Sequence, residues 1–160
     1  HPVLQSSPVS RGGYSALRHG RTAIPGGVYL ITFVTHERRR LFTDFECACA
    51  TAAALAEPML WRNSRLLAWV LMPDHWHGLV QLGAMDTLAT AIGRVKAVSS
   101  RRLNSMRSSR NAVWSSGYHD HAVRRESEVL PTARYVVANP LRAGLVASIA
   151  DYPFWDASWL

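Results

Sequence analysis

The chain has 160 residues, room for one domain with a real core but hardly for two. Hydrophobic residues make up 48% and charged residues 18%, a globular balance, and no run of 18 or more apolar residues is present to span a bilayer. The net charge is +7 with a pI of about 10.2, which directs attention to polyanionic partners.

Residues 1–25 are rich in Ser, Gly, Pro and Arg without apolar periodicity, and predict a flexible basic arm carrying Arg11, Arg18 and Arg21. The turn signal Pro25-Gly26-Gly27 ends it, leaving residues 26–160 as a single domain. No apolar stretch of signal-peptide type leads the chain, so secretion is not indicated. Val28 to Thr35 is β-branched and aromatic and predicts a strand. Asp44 can cap a helix running to about Glu57, with Pro58 as its stop. Cys47 and Cys49 lie in that alanine-rich helix, too close for an ordinary structural disulfide; they read as reduced, which suits a cytoplasmic protein. Arg65 to Met72 and His75 to Leu82 predict a hairpin turned at Pro73-Asp74. A long helix starts at Asp86 or Thr87, with Leu88, Ala91, Ile92, Val95 and Val98 on one face, and gives way to a polar loop over Asn104 to Asn111. A fourth strand is expected around His121 to Arg124, then a helix from about Ser127 to Ala138 with Pro131 in its first turn and Pro140 closing it. The tail from Asp151, with Trp155 and Trp159, is expected to pack back on the sheet. The order β-α-β-β-α-β-α predicts an α+β fold: a ferredoxin-like or RRM-like antiparallel sheet with packed helices.

The charge is concentrated. Arg94, Lys96, Arg101, Arg102, Arg107, Arg110, Arg124 and Arg125 face one acid, Asp120, within 94–125, while the rest of the chain balances. All basic residues but Lys96 are arginine, whose planar fork suits phosphate and guanine edges. A polyanion-binding surface is the expectation; a solvated basic face is the plainer alternative.

Within Pro73-Asp74-His75-Trp76-His77-Gly78, strand alternation projects His75 and His77 together and sends Trp76 to the opposite face. Two adjacent imidazoles can chelate a divalent ion, though two half-exposed histidines near a turn would look the same. Gly78 leaves room for another backbone or a ligand to approach. His119-Asp120-His121 repeats the spacing and reads as a strand start, with His121 toward the site or core and His119 incidental. On the later helix Tyr135 and Asn139 are four apart, one turn on one face. The packing alternatives are a buried helix tyrosine and an N-cap for a short turn beginning at Pro140.

PDHWHGLV, then GYHDHAVR, then ARYVVANPLRAGLV, with DYPFWDASWL at the end and PGGVYLITFVTHERRRLF at the start, resembles the REP-associated tyrosine transposases. These are relatives of the IS200/IS605-type single-tyrosine transposases in the HUH nuclease superfamily, and the likeness runs from about Gly26 to Leu160. It implies the HUH endonuclease fold, a metal on His75 and His77, Tyr135 as nucleophile, and Asn139 completing the metal site. The metal expected is Mg²⁺ or Mn²⁺, since two imidazoles and an amide leave positions open for phosphate and water. The implied substrate is a single-stranded DNA hairpin of repetitive extragenic palindrome type, cut through a 5′-phosphotyrosine intermediate. Arg94, Lys96, Arg101 and Arg102 are expected to face the DNA backbone from the long helix, and Arg124 and Arg125 to flank the site. The resemblance allows a monomer or a homodimer. Two other readings compete: a non-catalytic single-stranded nucleic-acid-binding module of RRM-like fold, and a zinc hydrolase using Asp74 or Asp120 as base.

Overall fold

The computed structural model describes residues 26–158; the arm expected over residues 1–25 and Trp159 lie outside them. Strands β1 (Val28–Val34), β2 (Arg65–Met72), β3 (His75–Gln81), β4 (His119–Val123) and β5 (Trp155–Ala157) form one antiparallel sheet in the order β4-β1-β3-β2-β5. The first four follow the expected split-βαβ arrangement, and the tail docks as a fifth strand along Ala68–Val70. β4 begins at His119, two residues earlier than expected.

Helix α1 (Phe45–Leu55) starts where Asp44 accepts a hydrogen bond from the Cys47 amide, 3.0 Å. Cys47 is buried, Cys49 is exposed, and both are free thiols. Helix α2 (Leu88–Arg107) starts at Thr87, whose hydroxyl accepts from the Thr90 amide at 3.1 Å. It runs through Asn104 to Arg107, where the sequence predicted loop. Fully buried Leu103 continues the stripe of Leu88, Ala91, Ile92, Val95 and Ser99, so core packing carries the helix past its polar end. Ser108, in the left-handed region at φ 51°, then stops it.

The sheet is covered on both faces. Tyr29, Ile31, Phe33, Leu71, Trp76 and Val80 pack against α1, α2 and the Val113–Tyr118 segment. On the other face Leu67, Val70, Met72 and Leu79 meet Ala133, Val136 and Val137 of helix α3 (Val129–Val137), with Ala157 of β5. A short helix α4 (Asn139–Arg142) follows, with Pro140 near its start. The longer helix thus ends before Pro140, as expected, and Pro140 also opens a new turn: lacking an N–H, it is tolerated at the start of a turn and not inside one. α3 lies across β2 and β3, on the face toward which the histidines point.

Candidate functional site

The histidines are positioned from behind. Trp76 is fully buried, stacked on Phe33 with centroids 4.9 Å apart and on Trp61 at 6.2 Å. Its indole folds back over Gly78, so that a Cβ at position 78 would fall inside the ring. The space at Gly78 thus serves the chain's own tryptophan, and the expected approach of another backbone or a ligand does not occur there. Anchored between these residues, β3 presents His75 and His77 together, with ring centroids 4.6 Å apart and planes at 84°.

Each imidazole is held through Nδ1. His75 Nδ1 donates to the Asp74 carboxylate at 2.7 Å, and the other Asp74 oxygen accepts from Arg38 Nε at 3.1 Å and forms an ion pair with Nη2 at 3.0 Å. His77 Nδ1 shares a hydrogen bond of 2.8 Å with Oγ1 of Thr32, its register partner on β1. That arrangement reserves Nε2 of both rings for an outside partner, the usual way metal-binding histidines are oriented. Arg38 reaches Asp74 from a tight turn in which Glu37 (φ 58°) and Arg38 (φ 53°) both adopt left-handed backbone. The Thr35 hydroxyl braces this turn, 2.7 Å from the Arg39 carbonyl and 3.1 Å from that of Asp74.

The electrostatics keep His77 a neutral donor. Burial, followed by the positive potential of His75, Arg142 and Arg38, pulls the His77 pKa down to about 3, so its lone pair stays available at neutral pH. Burial opposes the charge on Asp74, but hydrogen bonds from His75 and Arg38 outweigh it and hold the carboxyl below its ordinary value. Asp74 is therefore an ionised brace with both oxygens engaged, which removes it as the free base a zinc hydrolase would need. Among the described residues no group of three His, Cys, Asp or Glu side chains is placed to hold a metal. A third protein ligand beside the two imidazoles would have to be another residue type, such as the Asn139 amide.

Tyr135 is 57% exposed on α3, so burial of its ring does not account for it. The guanidinium carbon of Arg142 lies 3.7 Å from its ring centroid. Arg142 is also one of the positive charges that help to depress the His77 pKa. Half-buried Asn139 does not share a continuous helix with Tyr135. α3 ends at Val137, Ala138 (ψ 0°) separates the pieces, and Asn139 begins α4. In the second histidine pair, His121 stands opposite Leu30 and His119 opposite Thr32, across β1 from His77, while Asp120 is buried opposite Ile31. Directly paired residues share a sheet face, so both His119 and His121 lie on the His77 side.

The basic residues divide. α2 covers the Trp76 face, so Arg94, Lys96, Arg101 and Arg102 are not brought to the histidines. Arg94 pairs with buried Asp86 at 3.0 Å and donates to the Leu60 carbonyl at 2.9 Å. Lys96 donates to the Ser115 and Gly117 carbonyls and stands over the Phe33 ring at 5.3 Å; burial draws its pKa down to about 8. Arg102 lies 3.6 Å from Glu57, and exposed Arg101 borders a shallow groove with Arg110. Arg124 and Arg125, with Arg65 and Gln81, rim a cleft of about 730 Å³ floored by Val28, Val123 and Val129. This cleft lies on the site's side of the sheet, toward the far end of β3. Sequence reading missed Thr32, Arg38 and Arg142 altogether and weighed Asp74 only as a base. Asp74 had a signal, its adjacency to His75; Thr32 and Arg38 depend on register and a distant turn.

Known proteins share this fold. A family model described as "Transposase IS200 like" matches residues 25–139. A protein of Haemophilus influenzae named as a REP-associated tyrosine transposase is 24% identical over 140 residues, covering 81% of this chain and 78% of that one. The REP-associated tyrosine transposase of Escherichia coli is 24% identical over 136 residues, covering 84% and 78%. Among solved structures, a REP-associated tyrosine transposase bound to a REP hairpin superposes with a TM-score of 0.64 at 21% identity, over 84% of this chain and 79% of that one. A protein of Deinococcus radiodurans described as a transposase gives 0.53 at 19% identity, over 75% and 95%. These two likenesses establish the fold.

Proposed function

The chain belongs to the IS200-like transposase family, and from that premise we propose that it cuts and rejoins single-stranded DNA at a REP-like hairpin through a phosphotyrosine on Tyr135. The observation that carries this reading is that one sheet face holds both two histidines braced through Nδ1 and the helix that bears an exposed tyrosine, with Arg142 against its ring.

His75 and His77 would hold a divalent ion, Mg²⁺ or Mn²⁺, through Nε2, with the half-buried Asn139 amide as the third protein ligand. When bound, such an ion would offset negative charge on a phosphodiester and on the departing 3′ oxygen. Asp74 and Thr32 fix the two ring orientations, so neither ring has to turn before binding, and His77 stays neutral. Tyr135 Oη attacks phosphorus as the phenol proton passes to solvent. The Oη–P bond forms and the P–O3′ bond breaks; the 3′ oxygen takes up a proton to leave a free 3′-OH. A second 3′-OH can reverse the step without ATP, because the phosphotyrosine conserves the phosphodiester bond. The cleft rimmed by Arg65, Arg124 and Arg125 on the same sheet face would hold flanking phosphates, while Arg101 and Arg110 offer a second basic surface behind the sheet.

The test uses a labelled single-stranded hairpin with Mg²⁺ or Mn²⁺, resolved under denaturing conditions. A covalent protein–DNA band is expected, absent in Tyr135→Phe and strongly reduced in His75→Ala and His77→Ala. Tight hairpin binding with no covalent band in any metal would favour the non-catalytic binding module. A band that persists in Tyr135→Phe and disappears in Tyr118→Phe would move the nucleophile.

A further inference from the structure

We propose that Arg142 is the positioning residue for the nucleophile, holding the Tyr135 ring and supplying positive charge as negative charge develops on the phenol oxygen and the attacked phosphate. This rests on the reading of Tyr135 as nucleophile and adds a residue that the family match, ending at Asn139, does not reach.

The geometry is specific. An exposed tyrosine on a helix ordinarily samples several rotamers, and its ring here has no place in the core. The Arg142 guanidinium lies over it at 3.7 Å from carbon to centroid, a close cation–π contact in which a planar guanidinium can also stack, as an ammonium cannot. The chain around them is fixed by the turns on either side of Arg142. α3 stops at Val137, α4 opens at Asn139, and the Leu145 amide closes back on the Pro140 carbonyl at 2.9 Å through Gly144, whose φ of 75° favours glycine. Arg142 has no carboxylate partner among the ion pairs of the described residues. A negative charge that spreads into the phenol ring meets this guanidinium more favourably than a neutral phenol does. As the Oη–P bond forms and the P–O3′ bond breaks, the same cation lies beside the phosphoryl oxygens, and no further reactant is required.

The experiment separates binding from bond formation. Single-turnover adduct formation at saturating hairpin DNA is measured for wild type, Arg142→Gln and Arg142→Lys, and the hairpin Kd is measured for the same changes in a Tyr135→Phe background. Arg142→Gln should lower the saturating rate about tenfold or more, with Kd changed by less than about twofold, because one exposed phosphate contact is a small part of the affinity. Arg142→Lys should restore only part of the rate, since charge returns without the stack. A weakened Kd with a normal saturating rate would make Arg142 an ordinary DNA contact and overturn the proposal, as would full activity in Arg142→Gln. Thermal unfolding guards against misfolding: a slow but destabilised Arg142→Gln beside a fully active Arg142→Lys also overturns it. If the wild type itself forms no adduct, the covalent reading falls and takes this role with it. An active wild type with an indifferent Arg142 sinks the inference alone.

Discussion

Asp74 spends both carboxylate oxygens on orientation, one on His75 Nδ1 and one on Arg38, and Thr32 does the corresponding work for His77. Partners of this kind set the tautomer and direction of a metal-binding ring, and their loss ordinarily lowers metal affinity about 10- to 100-fold. Asp74→Ala should therefore weaken Mn²⁺ binding by about that factor, and Thr32→Val should shift it in the same direction, both read by calorimetry without DNA. Unchanged affinity in both variants would mean that Asp74 and Thr32 do not tune metal binding through the rings they hold. Lys96 supports a pH prediction of a different kind. Burial lowers its pKa to about 8 in the folded chain from an ordinary 10.5. Between those values the unfolded chain holds a proton that the folded chain has released, so this group adds stability as pH rises from about 8 toward 10.5. Wild type should gain on Lys96→Met across that window in denaturant unfolding. A constant difference between the two would contradict the assignment. Neither role was legible in the sequence: counting charges shows that Lys96 and Arg94 are basic, not that carbonyls and a buried aspartate already engage them.

At the scale of elements, β3 shows what the sequence does disclose. Alternation alone placed His75 and His77 on one face and Trp76 on the other, and that placement holds because Trp76 is wedged between Phe33 and Trp61. The purpose of Gly78 was not legible, because it depends on which way an indole folds. Gly78→Ala should cost about 1–3 kcal/mol or more through overpacking against Trp76. It should also lower metal affinity by tilting β3, and a neutral effect on unfolding would show that the indole can move aside. The end of α2 was misjudged for a related reason. Asn104 to Arg107 reads as polar, but Leu103 is buried and the turn continues to serve it. The break after Val137 was visible as Pro140, although whether a proline ends one helix or begins another depends on what packs next to it.

Across the whole molecule, the sheet is a partition. The long basic helix lies on one side, and the histidines, the tyrosine and the cleft bearing Arg124 and Arg125 lie on the other. Regional charge pointed to a polyanion-binding surface without saying on which side of the sheet it would lie. If flanking single-stranded DNA uses the cleft, replacing Arg124 and Arg125 with glutamine should reduce the salt dependence of hairpin binding by about 0.7 for each phosphate no longer neutralised. A slope unaffected by that double change but reduced by Arg101→Gln and Arg110→Gln would put the DNA behind the sheet.

The same partition gives the two faces unequal hold on their helices. α1 and α2 share the aromatic core, whereas α3 rests on the smaller cluster of Leu67, Val70, Met72 and Leu79. Its opening should cost less than opening the rest, so α3 amides should exchange with deuterium well before those of α2 while the sheet stays protected. A tyrosine joined to a DNA end would then ride on the one helix able to lift and reseat, and the strand could be carried from donor to acceptor without melting the scaffold that holds the histidines.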